Sequence, residues 1–229
     1  MRGVASRVSK PSPVRRIKHR IEAAIFQVLV WIVPRLGRTA VIAIANAFGD
    51  VGYLLCKQDR KVALANLDLA FGQSRSSPAK KQIARETFRN LSRTMFDLLW
   101  ASHASPEKLL ALAEFNEPEL QHIRDLQAAK KGVILIIPHF GNWELSGLAF
   151  GAVGVNITTI AEPGTNPHID DMITRARSST GHRIVPPRNA MLTMVRAAMR
   201  SQPVALFIDV NARQRTSQTS TGFSSRFGV

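Results

Sequence analysis

The spacing of apolar residues changes near residue 132, from a helical repeat to short unbroken runs. After Pro78, apolar residues recur every three to four positions, which predicts a long amphipathic helix. Residues 133–137 are apolar without polar alternation, which predicts a strand buried on both faces. Further strands are expected over 155–161, 184–185 and 203–208, with helices over 170–178 and 190–200. This order predicts an α/β fold with a mixed central sheet covered by helices, preceded by an N-terminal helical, membrane-associated region.

The first 56 residues combine basic and apolar segments. Residues 1–20 carry seven Lys or Arg and no acid, and prolines favour an irregular start. Residues 21–33 form an apolar stretch shorter than the roughly 20 residues that span a bilayer upright. With 39–56, they favour a hairpin or interfacial anchor on an anionic leaflet, the alternative being ordinary core helices. The predicted division is a basic arm over 1–20, membrane-anchor helices over 21–56 and a main domain over 57–229.

Composition narrows the classes of partner and cofactor. The chain has 229 residues, 45% hydrophobic, with a net charge of +15, so it is globular and needs an anionic partner, either membrane or nucleic acid. The cations are dispersed among apolar stretches without a basic aromatic strand, which favours membrane over nucleic acid. The single cysteine, Cys56, excludes an internal disulfide and is interpreted as a buried apolar residue. No metal-ligand spacing or nucleotide loop occurs, so neither cofactor is expected.

Candidate chemistry lies directly after the run at 133–137. Pro138 ends the predicted strand, and His139 follows at its carboxyl end, where α/β sheets place ligands. Asn142 is expected to cap a helix with Glu144 in its first turn, and this strand-to-helix turn allows Glu144 to approach His139. An anionic Glu144 would then fix the imidazole tautomer. The alternative is a loop histidine without a catalytic role.

The same stretch favours direct group transfer. It contains no serine or cysteine before Ser146, so the proton that His139 accepts is expected to come from a substrate hydroxyl. The reaction predicted is acyl or similar group transfer to an alcohol, with His139 as general base.

These residues resemble a known motif. His139 followed after four residues by Glu144 resembles the His-x4-Asp/Glu motif of the lysophospholipid acyltransferase superfamily. Residues 59–71, read as an Arg-x-x-Ala-Leu-x-Asn-Leu type of segment, resemble the late (lauroyl/myristoyl) acyltransferases of lipid A biosynthesis. The resemblance implies that His139 is the base and Glu144 its orienting partner.

Three further residues belong to the second half of the resembling pattern. The resemblance makes Asn166, Arg177 and Asp209 candidates for substrate binding. Each also has an ordinary structural interpretation: Asn166 as a turn residue, Arg177 as a cation at a helix C-terminus and Asp209 as a loop cap.

The resemblance implies a membrane-bound O-acyltransferase on the cytoplasmic face of the bacterial inner membrane. The donor would be acyl carrier protein or acyl-CoA, used as co-substrate without another cofactor, and the acceptor a lipid A precursor. Arg85, Arg89 and Arg93, spaced four apart, are either a solvated face or contacts for headgroups or acidic carrier protein. Glu162 stands where many lipid A enzymes have a basic residue, and Val210 where Gln is common. Another glycolipid or glycerolipid acceptor, such as a phosphatidylinositol mannoside or lysophospholipid, therefore stays open, as does a non-catalytic membrane-binding remnant.

The C-terminal residues depart from the family pattern. Residues 222–229 stand where the family has a Gly-x-Phe-Val-x-Phe-Phe-Gly segment followed by further strand and helix, and 213–221 are polar and low in complexity. The resemblance implies that the C-terminal part of the domain is missing. We therefore expect low or no activity and poor solubility from these 229 residues, with apolar surface and a sheet edge exposed.

Overall fold

The computed structural model describes residues 12–188 and 190–209. Predictions on 1–11 and 210–229, including those for Val210 and the C-terminal segment, lie outside these residues. The helices described are α1 (Pro13–Ile32), α2 (Arg38–Leu55), α3 (Lys57–Phe71), α4 (Ser77–Ala101), α5 (Pro106–Leu110), α6 (Glu117–Ala128), α7 (Trp143–Ala152), α8 (Pro167–Arg177) and α9 (Ala190–Met199). The strands are β1 (Ile134–Ile137), β2 (Thr158–Ile160), β3 (Arg183–Val185) and β4 (Val204–Phe207).

The sheet is parallel in all its described pairings and not mixed as predicted. Its strand order is β1-β4-β2-β3, and each pair is parallel. The reason is that α7, α8 and α9 each return the chain to the same end of the sheet between successive strands, as parallel strands require. The α/β class is confirmed, although helices make up most of the described chain.

Strand β1 lies at one edge of the described sheet, and the prediction that both its faces are buried is wrong for these residues. Ile134 and Ile136 are 61% and 55% exposed, while the opposite face packs towards Leu120 of α6. On the same face as Ile134 and Ile136, Met194 of α9 packs in one cluster with Val204 of β4 and Ile160 of β2, so α9 covers these two strands and leaves that face of β1 exposed.

Helix α1 begins at Pro13, within the segment 1–20 predicted as a basic arm, and the division at residue 20 stays a prediction. The Ser12 hydroxyl accepts a hydrogen bond from the backbone N–H of Arg15, and Pro13 occupies the first turn. A capping serine followed by proline starts a helix well, because proline has no N–H to leave unpaired there.

The N-terminal helices have one packed and one exposed face. Val33, Val41 and Phe96 belong to a core that joins the first two helices to α4. By length and composition, no single helix in the described part of the chain could cross a membrane, while α2 and α3, bent by 90°, meet that criterion only as a pair. Cys56 lies at this bend and is exposed, so its predicted burial is wrong: the sharp turn from α2 into α3 leaves it outside the packed face.

The three arginines spaced four apart on α4 form hydrogen bonds with polar side chains of α2. Arg85 and Arg89 each donate two hydrogen bonds of 2.7 Å to Asp50 of α2, and Arg93 donates to Asn46 at 2.5 Å. The hydrogen bonds from Arg85 and Arg89 hold the pKa of Asp50 well below its ordinary value. These arginines therefore join α4 to α2, whether or not they also contact solvent.

Gly49 allows α2 and α4 to approach closely. A Cβ at Gly49 would lie 2.5 Å from the Cα of Arg89, whereas one at Gly52 would make an ordinary 3.5 Å contact with Phe88. Gly49→Ala is therefore expected to lower the free energy of unfolding by about 1–3 kcal/mol, although Ala usually favours a helix by about 1 kcal/mol. Urea unfolding measures this. Gly52→Ala is the matched control and should be neutral or stabilising; equal effects at both sites would contradict the close packing.

Candidate active site

The sheet register brings His139 and Asp209 together. Ile137 of β1 is paired with Phe207 of β4, and His139 and Asp209 each follow two residues later. Because the carboxyl ends of parallel strands share one edge of the sheet, both side chains lie at the edge where α/β proteins place ligands.

Two hydrogen bonds join the pair. The Nδ1 atom of His139 lies 2.8 Å from Oδ1 of Asp209, and the backbone N–H of His139 donates to Oδ2 at 2.6 Å. These contacts, the side-chain bond first, lower the pKa of the Asp209 carboxyl. An ionised carboxylate only accepts hydrogen bonds, so the proton of the neutral imidazole is on Nδ1 and the lone pair is on Nε2.

Two aromatic side chains hold the imidazole ring, and its second nitrogen, Nε2, is unpaired within the described part of the chain. Phe207 and Trp143 pack against it with ring centroids at 4.4 and 5.2 Å, and the side chain is 34% exposed. Within residues 12–188 and 190–209, Nε2 has no hydrogen-bond partner. The arrangement therefore presents a basic nitrogen to a molecule arriving from solvent.

The predicted placement of Glu144 is confirmed, but its partner differs from the one expected. The Asn142 side chain accepts a hydrogen bond from the N–H of Leu145 at 3.0 Å, and Glu144 lies in the first turn of α7. Its carboxylate pairs with Arg177 of α8 through Nε and Nη2 at 2.5–3.1 Å. Asp209 therefore occupies the position beside His139 that was predicted for Glu144. The physical reason is burial, because a carboxylate 6% exposed needs a charged partner.

A second polar network supports the turn between β1 and α7. Asp97 accepts hydrogen bonds from Arg38 at 2.8 Å and from the Asn142 side chain at 2.7 Å. Asp97 is only 4% exposed. Sequence reasoning missed this residue, although a carboxylate inside the apolar run 95–99 is a signal that it has a specific buried partner. The network fixes the start of α7, four residues after His139.

The three weaker candidates are found in three different places. Asp209 contacts His139 and Arg177 contacts Glu144, as described above. Asn166 caps α8 by accepting a hydrogen bond from the N–H of His168 at 3.1 Å. Its amide also donates to the carbonyl of His19 at 2.8 Å and to Glu22 at 3.0 Å. Asn166 therefore joins α8 to α1, and none of these contacts involves His139 or Asp209.

At the edge where α/β folds place ligands, the structure holds a histidine with a carboxylate on one ring nitrogen and, among the described residues, no partner on the other, which defines an α/β protein with a candidate general base. The family model for bacterial lipid A biosynthesis acyltransferase matches residues 11–221. The chain belongs to this family, which confirms the resemblance seen in the spacing of His139 and Glu144.

Two curated relatives are similar over part of their length. The lipid A biosynthesis lauroyltransferase of Escherichia coli (strain K12) is 23% identical over 176 residues, which is 77% of this chain and 56% of the relative. The lipid A biosynthesis acyltransferase of Haemophilus influenzae (strain ATCC 51907 / DSM 11121 / KW20 / Rd) is 26% identical over 135 residues, 59% of this chain and 42% of the relative. The chain thus spans about half the length of these relatives.

Proposed function

We propose that this protein transfers a fatty acyl chain from a thioester of acyl carrier protein or coenzyme A to a hydroxyl of a lipid A precursor at a membrane surface. The observation that carries the proposal is Nε2 of His139, unpaired among the described residues, in an imidazole whose Nδ1 is held by Asp209 at 2.8 Å, in a member of this family. A neutral imidazole oriented by a carboxylate is suited to removing a proton from an alcohol.

The proposed reaction is a direct transfer. Nε2 of His139 takes the proton from the acceptor hydroxyl as its oxygen attacks the thioester carbonyl. The tetrahedral intermediate then loses the thiolate as the C–S bond breaks, and the imidazolium returns the proton to the leaving sulfur. Asp209 stabilises the imidazolium between these steps. Glu144 and Arg177 act indirectly, because their ion pair joins α7 to α8 beside the turn that carries His139.

Membrane association is supported by the surface of α1. We define its apolar stripe as Ile17, Ile21, Ile25 and Val28, which are 53–62% exposed and recur at helical spacing. Basic residues occupy the first turns of the same helix. An amphipathic helix of this kind lies in the plane of the interface, bound by charge and by apolar burial together. We propose the cytoplasmic face of the inner membrane as its location, because lipid A precursors and acyl thioesters meet there.

An acyl-transfer assay tests the proposal. The 229-residue chain on anionic vesicles is given lauroyl thioesters of carrier protein or coenzyme A in separate reactions, with a tetra-acylated lipid A precursor as acceptor. Mass spectrometry should detect one added acyl group, and the protein should sediment with the vesicles even in high salt. Parallel reactions contain a phosphatidylinositol mannoside or a lysophospholipid as acceptor. Acylation of these alone would show that the acceptor belongs to one of these lipid classes and is not a lipid A precursor. Folded, vesicle-bound protein without any transfer would favour the non-catalytic membrane-binding alternative.

A further inference from the structure

We propose that a groove between α1 and α8 binds the phosphate of an anionic lipid headgroup. Two adjoining cavities of about 340 and 360 Å³ lie along this helix pair and share Gln27, Met172 and Arg175 in their walls. Together they form a single trough, which we call the α1–α8 groove. Its floor includes Met172 and Leu99, 8% and 4% exposed, so an apolar base underlies a polar rim.

The spacing of the two helices is fixed by the protein itself. The buried Asn166 side chain donates to the His19 carbonyl and to Glu22 at 2.8 and 3.0 Å, which anchors α1 to the start of α8. Next along α1, Ala23 and Ala24 line the groove. Small side chains at these positions leave open the volume that larger residues would fill, so the groove is a built feature of this contact.

The rim of the groove carries uncommitted donors. Among the described residues, the Arg20 guanidinium and the His168 ring have no hydrogen-bond or ion-pair partner. Arg175 pairs with Asp171 through one nitrogen at 2.9 Å, which leaves its other N–H groups available. Two guanidinium groups against one carboxylate give a net positive rim, and guanidinium forks match phosphate oxygens well.

The position of the groove indicates which phosphate it meets. At about 100° per residue, the groove-lining positions of α1 lie roughly 100° around the helix from the apolar stripe. Arg20 therefore lies about 60° around the helix from Ile17, between the stripe and the packed face. A helix whose stripe enters the bilayer interface holds such a flank at headgroup depth, so the phosphate expected there belongs to a lipid.

This site is separate from the chemistry proposed above. The residues of α8 that line the groove face α1, whereas Arg177 reaches α7 to pair with Glu144. Binding at the groove requires no reacting group, and its test therefore uses a lipid that is not a substrate of the proposed reaction.

The experiment is a titration of the full chain with dihexanoyl phosphatidylglycerol, below the concentration at which it forms micelles, followed by calorimetry. Saturable binding is expected, about tenfold weaker in Arg20→Gln, because a charge-assisted hydrogen bond to phosphate is lost. Arg15→Gln is the matched control: it removes the same charge from α1 at a position about 140° around the helix from Arg20 and should bind as the unsubstituted chain does. Ala24→Leu should also weaken binding, by filling the groove without changing charge.

Four results would overturn the proposal. They are equal weakening by Arg15→Gln, unchanged binding in both Arg20→Gln and Ala24→Leu, equally tight binding of dihexanoyl phosphatidylcholine, and equally tight binding of inorganic phosphate. The last would identify a free-phosphate site and not a lipid site. Acyl transfer is not measured, so failure here is distinguishable from failure of the proposed reaction.

Discussion

Asp209→Asn should reduce acyl transfer nearly as far as His139→Ala does. Removing the general base costs about 10²–10⁴-fold in rate, which is the expectation for His139→Ala. In the unsubstituted protein, the backbone N–H of His139 donates to Oδ2 of Asp209 at 2.6 Å. In Asp209→Asn, this N–H requires the amide oxygen at the same position. The amide NH₂ then faces Nδ1, which must accept, and the ring proton moves to Nε2. With the ring proton on Nε2, the imidazole could not accept the proton of the acceptor hydroxyl. The equivalent change in Ser-His-Asp enzymes lowers kcat about 10⁴-fold.

The measurement is the initial rate of the acyl-transfer assay, with vesicle binding and circular dichroism recorded for each variant. His122→Ala is the matched control, because it removes another exposed imidazole, on α6, outside both the His139–Asp209 pair and the α1–α8 groove. It should retain normal turnover. Normal turnover in Asp209→Asn, with the fold intact, would show that this carboxylate does not orient the base.

Arg177→Met is expected to destabilise the fold by about 3–5 kcal/mol, because it leaves the Glu144 carboxylate buried without its cation. The Glu144 side chain is 6% exposed and Arg177 is 27% exposed. The double variant Glu144→Leu/Arg177→Met removes both charges and should recover part of that loss. Urea unfolding of Arg177→Met, Glu144→Leu and the double variant gives the coupling free energy between the two residues.

Arg175→Met is the matched control on the same helix. Its partner Asp171 is exposed, and exposed pairs contribute only about 0–1 kcal/mol. Adding Glu144→Gln to this series separates the two interpretations of Glu144. If Glu144 acted on His139 directly, Glu144→Gln would reduce turnover in protein of unchanged stability. The Arg177 contact predicts instead that turnover falls together with stability, so an undiminished free energy of unfolding with lost turnover would contradict it.

Local features of this protein were determined by the sequence alone. The period of apolar residues placed α4, and the apolar run before Pro138 placed β1 to within one residue. The Asn142 cap and the position of Glu144 in the next turn followed in the same way. These features depend on hydrogen bonds and side-chain contacts between residues close in the chain, so their signals are present in a short window of sequence.

The partners of the charged residues were decided only by the tertiary structure. Asp209 reaches His139 across 70 residues, because β4 pairs beside β1 and brings the two strand ends into register. Arg177 reaches Glu144 across 33 residues, because α8 packs on α7. The parallel direction of the sheet and the exposed face of β1 were decided in the same way. Which carboxylate meets which cation depends on the packing of whole elements, and several pairings satisfy the same local pattern equally well.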